Sequence, residues 1–439
     1  MKPRYTTRRH LLATAGVVAL AAPCATAAAQ SHPPSAILLD PTAPARPRLF
    51  RSFFLGGFEC SSHRRADGHR LDLIAGTRHD ALALSDYGQL SRHGIHAARD
   101  GVRWHLVETI PGYYDWSSAL PMVHAAEAAG LQVAWDLLHY GWPDGLDVFS
   151  ASFVDRFARY AAAFARLHVE ETGRPALVCP VNEMSFLAWA GGDMAQMNPG
   201  TRRRGRELKA QLARAAIAGT HAVRHAAPGT RTLAIEPLIH VVPRRAEDAA
   251  RADAFYNHGQ FQAWDMLCGR HAPELGGEPD MLDVLGINYY WNNQWACDGQ
   301  WLAPDHWTCE GDPLSLFDPR HRPLQDLLAL VHSRYGRPVF VAETSIEGDQ
   351  RAAWLDHVGR QVRAALRAGV PVQGICLYPV LSHPGWEDDR YCPNGLLEMG
   401  EGAGPRPVHA PLATELRRQQ QLFEALFAGR DMEGAERLP

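Results

Sequence analysis

The sequence has no surplus of positive charge. Its 44 lysines and arginines face 48 aspartates and glutamates, which leaves nothing to neutralise a phosphate backbone and excludes a nucleic-acid binder. Eight cysteines in 439 residues are too few for a disulfide scaffold. After the first thirty residues no apolar run is long enough to span a bilayer, so no stable membrane insertion is expected. GGFECSSHR, after the first apolar run, is a poor match for a glycine-rich phosphate turn. The 22 histidines form no HExxH and no tight His/Asp cluster, so neither a metal nor another cofactor is expected. No internal repeat or low-complexity tract follows the leader. What is present, 46% apolar and 21% charged, is the composition of a folded globular protein. A carbohydrate or another neutral small molecule suits its charge.

Residues 1–30 carry a basic head with Arg8 and Arg9 adjacent, an apolar run from Leu11 to Ala22, and then small residues. This is the pattern of a bacterial export signal of the twin-arginine type, with cleavage expected near Ala27 to Ala29 and a periplasmic or secreted product. Pro23 stands where a lipoprotein signal at Cys24 would need a small residue. Removing 1–30 takes away Lys2, Arg4, Arg8 and Arg9 and no acid, so the formal charge goes from −4 to −8. In an oxidising compartment Cys297 and Cys309, within the loop-like WACDGQWLAPDHWTC, can close a small ring. Cys179 and Cys376 fall in apolar runs, as small buried hydrophobes do. Residues 31–50 read as an extended proline-rich lead-in, 51–428 as one domain, and 429–439 as a C-terminal tail.

Within the domain, short apolar runs alternate with longer amphipathic stretches. The runs at 53–58, 101–104, 132–137, 176–181, 232–237, 282–287, 338–343 and 374–379 read as strands. The stretches 153–171, 203–226 and 351–369 read as helices; in the first, Phe153, Phe157, Tyr160, Ala161, Phe164 and Leu167 share one face. Alternation of this kind gives a parallel sheet, and eight repeats predict a single-domain (β/α)8 barrel with long loops after its strands.

Two of those strands end in carboxylates. Val181-Asn182-Glu183 closes the fourth and Ala342-Glu343-Thr344 the seventh, and a residue at the carboxyl end of a barrel strand points into the mouth where barrel enzymes do chemistry. Hydrolysis of a glycosidic bond needs such a pair, one acid to protonate the departing oxygen and one carboxylate to attack the anomeric carbon, about 5–5.5 Å apart in a retaining enzyme. Asn182 is placed to hold a sugar 2-hydroxyl. Exposed indoles stack on sugar faces, and Trp142, Trp291, Trp295, Trp301 and Trp386 all fall in the expected loops.

At these residues the chain resembles the retaining glycoside hydrolases of clan A, whose acid/base is the Glu of an Asn-Glu pair ending strand four and whose nucleophile is a Glu ending strand seven. The resemblance implies these roles for Glu183 and Glu343. More local likeness points to family one, the β-glucosidase type. GVRWHLVETIPGYYDWS is similar to that family's second-strand segment, which carries an arginine near the nucleophile, and so implies that role for Arg103. WDLLHYGWPD resembles the HWDLP-type segment after strand three and implies sugar binding by His139. LDVLGINYYWNN is similar to an LDFIGINYYT-like run and implies that Tyr290 bonds to the nucleophile. YPVLSHPGW resembles WSLLDNFEW and implies that Trp386 is the platform under the sugar ring.

The chain also departs from that pattern. Gly385 falls where the family has a glutamate reading the outer hydroxyls, Asn-Glu-Met replaces Asn-Glu-Pro, and Glu59 or His63 stands in for the first strand's glutamine. The expectation is an exported, divergent retaining β-glycosidase in which Arg103 keeps Glu343 ionised while burial and the Glu343 charge keep Glu183 protonated. Two other classes remain open: a sugar-binding or envelope-polysaccharide accessory barrel, and a metal-dependent barrel hydrolase or isomerase.

Overall fold

The computed structural model describes residues 43–303, 306–402 and 404–430. The export signal at 1–30, the lead-in as far as residue 42, Cys24 and the tail from 431 lie outside the described residues. Eight strands form the centre: β1 (Phe54–Gly57), β2 (Ala97–Gly101), β3 (Gln132–Asp136), β4 (Leu177–Cys179), β5 (Arg231–Pro237), β6 (Val284–Asn288), β7 (Val339–Thr344) and β8 (Val372–Leu377). They pair in sequence order and in parallel, and β8 closes on β1. A helix follows each strand: α1 (His79–Arg92), α2 (Leu120–Ala128), α3 (Ala151–Thr172), α4 (Gly205–Ala226), α5 (Gln262–Leu267), α6 (Leu324–Tyr335), α7 (Arg351–Arg367) and α8 (Ala410–Phe427). The protein is a (β/α)8 barrel.

Side-chain alternation divides the core into two layers. Leu55, Ala97, Ala134, Leu177, Leu233 and Phe340 belong to the inner cluster on the barrel axis, with Phe50 of the lead-in packed at a tilt against Phe340, 5.2 Å between ring centroids. The larger outer cluster lies between strands and helices. There α3 buries Phe153, Phe157, Tyr160 and Phe164, the face expected from their spacing. Each such ring withdrawn from water contributes about 1.5–3 kcal/mol.

Seven strands lie within a few residues of their expected places, and the second does not. Expected over 101–104, it runs Ala97–Gly101. The segment Ala97-Ala98-Arg99-Asp100-Gly101 has no large apolar side chain, so a reading that follows apolar runs passes over it. Arg99 and Asp100 are both fully buried, which is tolerable because each is paired.

The long connection after β6 carries the expected ring, with Cys297 and Cys309 joined in a disulfide across Cα atoms 5.3 Å apart. Its strand Gln294–Cys297 pairs with His240–Pro243 and Gly311–Pro313 in a small separate sheet. No helix among the described residues is long and apolar enough to cross a membrane.

Asp100 faces outward into a buried polar knot. His79 Nε2 lies 2.8 Å from Asp100 Oδ2 and its Nδ1 2.8 Å from Asp86 Oδ2. Tyr87 donates to Asp100 at 2.6 Å, and Arg406 Nε donates to Asp86 at 2.9 Å. This ties β2 and α1 to the segment leading into α8. Burial opposes a charge on His79, but Asp100 and Asp86 outweigh it and raise the imidazole to about 9. A histidine raised on folding stabilises fully below its unfolded value, 6.5, and loses that contribution as pH rises through the folded one. We therefore expect His79→Gln to be less stable than wild type at pH 6, with the gap in unfolding free energy narrowing by pH 9; denaturant titrations at both pH values measure it, and a gap independent of pH contradicts the linkage.

Candidate active site

Glu183 lies four residues beyond β4 with φ of 44°, in left-handed backbone. That conformation costs a non-glycine residue on the order of 1–3 kcal/mol and persists where neighbours over-determine it. Here the Glu183 amide donates to the Ile235 carbonyl of β5 at 3.0 Å, and its carbonyl accepts the Leu187 amide at 3.0 Å. The side chain is buried, and Oε2 accepts a 2.5 Å hydrogen bond from the Tyr140 hydroxyl. Tyr140, after β3, is also left-handed, at φ 69°.

Glu343 lies at the end of β7 and is likewise buried. Its Oε1 accepts from Arg99 Nη1 at 2.8 Å and its Oε2 from the Tyr290 hydroxyl at 2.6 Å. Arg99 points into the barrel from β2 and also donates from Nη2 to Asn182 Oδ1 at 2.6 Å. Asn182 Nδ2 donates to the Tyr140 oxygen at 3.0 Å. One unbroken hydrogen-bond chain therefore runs Glu343–Arg99–Asn182–Tyr140–Glu183, joining the ends of β7, β2, β4 and β3.

Asp136, closing β3, accepts from Arg99 Nε at 3.0 Å and Nη2 at 2.6 Å. Burial opposes its charge, yet Arg99 and His139 hold the carboxyl below the usual carboxylate range. His139 Nδ1 lies 2.8 Å from Asp136 Oδ2, and its Nε2 lies 3.3 Å from Asn182 Nδ2 and 3.8 Å from Glu59. The Arg99 guanidinium carbon sits 5.0 Å from the centroid of the Tyr378 ring. A Cβ at Gly57 would meet that ring at 2.1 Å, so only glycine admits Tyr378 there.

Above this floor opens a cavity of 380 Å³ whose walls include Glu183, Glu343, Tyr290, Trp291, Trp386 and His63. Trp386 packs edge-on against His63 and Tyr140, at 4.8 and 5.6 Å between centroids. Gly385 also lines the cavity, beside Glu387 and Asp388.

The sequence expectations divide along these lines. Glu183, Glu343, Tyr290 and Trp386 meet around one cavity, and Tyr290 bonds to Glu343 as the resemblance implied. Asn182 and His139 belong to the polar network of the floor and are not among the residues of the cavity wall. Of the other indoles, Trp291 lines the cavity, Trp142 is buried with its N–H on the Leu146 carbonyl, Trp295 bonds to the Cys309 carbonyl, and Trp301 is exposed on the hairpin beyond.

Arg103 is a correction. It lies two residues past the end of β2, outside the barrel axis, and pairs with Asp80 at 3.0 Å and Asp72 at 3.2 Å. The arginine on Glu343 is Arg99. The shift of β2 is the cause, because alternation from Ala97 carries Arg99 inward, whereas Arg103 begins the turn Trp104–Val107. Sequence reasoning also passed over Asp136 and Tyr140, although Asp136 ends β3, one residue short of the end expected for that strand, and was open to nearly the same strand-end rule as Glu343.

Burial pushes the Glu343 carboxyl above the usual carboxylate range; Arg99 opposes this, and the neighbouring Glu183 adds to it. The expectation that an arginine alone keeps Glu343 ionised thus omits the larger effect, desolvation. Cys60, Asp136 and His139 bring potential ligand atoms within 4.8 Å of one another. Both Asp136 oxygens are already bonded to Arg99, so a cation there would meet a guanidinium, and the donor set does not fit a metal.

The fold is thus a (β/α)8 barrel in which two buried carboxyls, at or just past the ends of different strands, open into one cavity. No family model and no curated protein sequence matches the chain. Among solved structures the chain is similar to the family 1 β-glucosidase from Thermotoga maritima, with a TM-score of 0.68 and 16% identity over 86% of this chain and 99% of that one. A β-glucosidase from the same organism in complex with glucoimidazole gives 0.66 and 14% over 86% and 99%. A hyperthermophilic β-glucosidase mutant gives 0.65 and 14% over 84% and 99%. At this identity the likeness establishes a shared fold.

The two arginines should behave differently when removed. Arg99→Met leaves the buried carboxylates of Asp136 and Glu343 uncompensated and is expected to cost about 3–5 kcal/mol of stability. Arg103→Met releases two partly exposed acids and should cost about 1 kcal/mol. Denaturant unfolding of the pair checks this, and equal losses would contradict the placement of Arg99 as the buried counter-ion.

Proposed function

We propose that the protein is a retaining β-glycosidase, a divergent relative of the family 1 enzymes, and that its leader directs it out of the cytoplasm. The observation that carries this reading is the single cavity into which Glu183 and Glu343 both open, with one hydrogen-bond chain holding the two carboxyls. In the proposed reaction Glu343 attacks the anomeric carbon while Glu183 gives its proton to the departing oxygen, so one C–O bond forms as the glycosidic C–O bond breaks. Water then enters. Glu183 takes its proton, the hydroxyl adds to the anomeric carbon, and Glu343 leaves as a carboxylate. Arg99 and Tyr290 stabilise the charged form of Glu343 before attack and after release. Trp386 offers an apolar face to the sugar ring.

The similar solved structures are β-glucosidases, which is consistent with a β-linked sugar as substrate, and the departure at Gly385 leaves a wall different from the family pattern where outer hydroxyls are read. A screen of aryl β-glycosides with the wild type, Glu183→Gln and Glu343→Gln tests the proposal. Activity should be found with at least one sugar and fall by about 10³-fold or more in Glu343→Gln, and an activated 2-fluoro glycoside should label Glu343. Label on another residue, or ligand binding without turnover of any glycoside, sinks the reading in favour of a sugar-binding barrel.

The pH profile adds an independent check. Glu343 must be ionised to attack, and its raised carboxyl sets the acidic limb of kcat/KM. Tyr290→Phe removes a donor to the charged form, so the acidic limb should move to higher pH. An unmoved limb would remove Glu343 from the role of titrating nucleophile.

A further inference from the structure

Glu236 is a buried carboxyl that the proposed reaction leaves unused. It lies near the end of β5, fully buried. Its neighbour Ile235 turns to the barrel axis, so Glu236 points the other way, towards α4 and Lys209, whose charge acts on it. Lys209 is the only lysine of the chain besides Lys2, and it donates to Gln262 of α5 at 3.2 Å. Glu236 Oε2 accepts the Ser185 amide at 3.1 Å, while Oε1 is buried without a hydrogen-bond partner among the described residues. The adjacent Ile235 carbonyl accepts the Glu183 amide at 3.0 Å. Two consecutive residues of β5 thus hold the amides on both sides of Met184, across the turn in which Glu183 is forced into left-handed backbone.

We propose that Glu236 is a positioning residue for Glu183: its carboxyl fixes the Ser185 amide, and with it the turn that aims Glu183 into the cavity, and its charge acts on the Glu183 proton. This rests on the reading of Glu183 as the acid/base. The groups that face Glu236 are Lys209 on α4, itself influenced by Asp193, Glu183 beyond β4, and the buried thiol of Cys179 on β4. From β6 its register partner is Ile287, followed by Asn288, and neither titrates. Burial pushes the Glu236 carboxyl up to about 7, with Ser185 and Lys209 opposing and Glu183 adding. The repulsion is mutual. As pH rises past neutrality, a charge gained by Glu236 makes it harder for Glu183 to lose the proton that the first step needs.

Glu236→Gln keeps an acceptor for the Ser185 amide and removes the charge; Glu236→Leu removes both. In the Gln variant kcat at its optimum should stay within about threefold of wild type, while the alkaline limb of kcat/KM moves to lower pH by about half a unit or more. In the Leu variant kcat should fall about tenfold or more with KM within about threefold, because the turn loses its anchor. An unmoved alkaline limb in Glu236→Gln, or wild-type kcat in Glu236→Leu, overturns the proposal. Carbon-13 carboxyl NMR reads the same coupling without turnover: the Glu183 signal, assigned by its loss in Glu183→Gln, should titrate at lower pH in Glu236→Gln than in wild type. Identical titrations overturn the proposal whether or not the protein hydrolyses a glycoside, whereas a shifted titration in a protein without turnover refutes only the hydrolase reading.

Discussion

The site depends on one buried cation. Arg99 is fully enclosed in the barrel, and its guanidinium spends its donors on Asp136, Asn182 and Glu343. A charge so placed would be prohibitively costly alone, and each of these acids would be nearly as costly without it. Together they form a rigid block fastened to four strand ends. Arginine suits this position for a geometric reason: its planar fork meets the two oxygens of Asp136 in parallel and still presents Nη1 to a third group. A lysine at 99 could not hold these partners at once.

The balance of charge around that block favours positive charge above it. Glu59, Asp136, Glu183 and Glu343 are all buried near the mouth, and Arg99 is the counter-ion that meets two of them. With more carboxyls than cations packed into a desolvated space, the last ones to ionise do so against repulsion, which is why burial and Glu183 together raise Glu343. In the proposed reaction this arrangement has two uses. It sets burial against the charge on Glu343, and it gives a developing positive charge at an anomeric carbon a more favourable environment than water provides.

Much of this was legible before the fold was known, for reasons that particular residues make clear. The eightfold rhythm was readable because parallel strands buried on both faces are short apolar runs, as Phe340 and Val341 show in β7. Glu343 and Glu183 stood out because they interrupt or directly follow such runs. Tyr290 was found through a string of residues that keeps its register with β6. The second strand was hidden by the very residue that matters most: Arg99 and Asp100 make β2 read as surface, and the apolar Val102 and Trp104 just beyond it drew the assignment four residues downstream. That displacement placed the expected partner of Glu343 at Arg103. Tyr140 was hidden differently, because its role depends on a left-handed backbone that brings its hydroxyl to Glu183, and nothing in the spacing of DLLHYGWPD encodes that turn. Glu236 is hidden by alternation itself, since its neighbour Ile235 takes the inward position.

Floor and wall of the cavity are built by different rules, and the difference separates reaction from recognition. The floor is made by strand ends whose register is fixed by the barrel's ladder; Arg99 stands opposite Gly57 and Ala134, and Glu343 opposite Asn288. Moving any one of these would require a strand to slip and would turn its inward residues outward. The wall is made by loops. Arg390 grips Glu347 at 2.8 and 2.9 Å, and Arg65 reaches Asp389 at 3.1 Å, so the segments after β1, β7 and β8 are fastened to one another at their side chains rather than through a sheet. A substitution there alters the shape and charge offered to a ligand while leaving the carboxyls where they are. In the proposed reaction, chemistry is therefore the property the strands hold fixed, and the choice of ligand is the property left to Gly385, Glu347, Arg390 and the residues beside them.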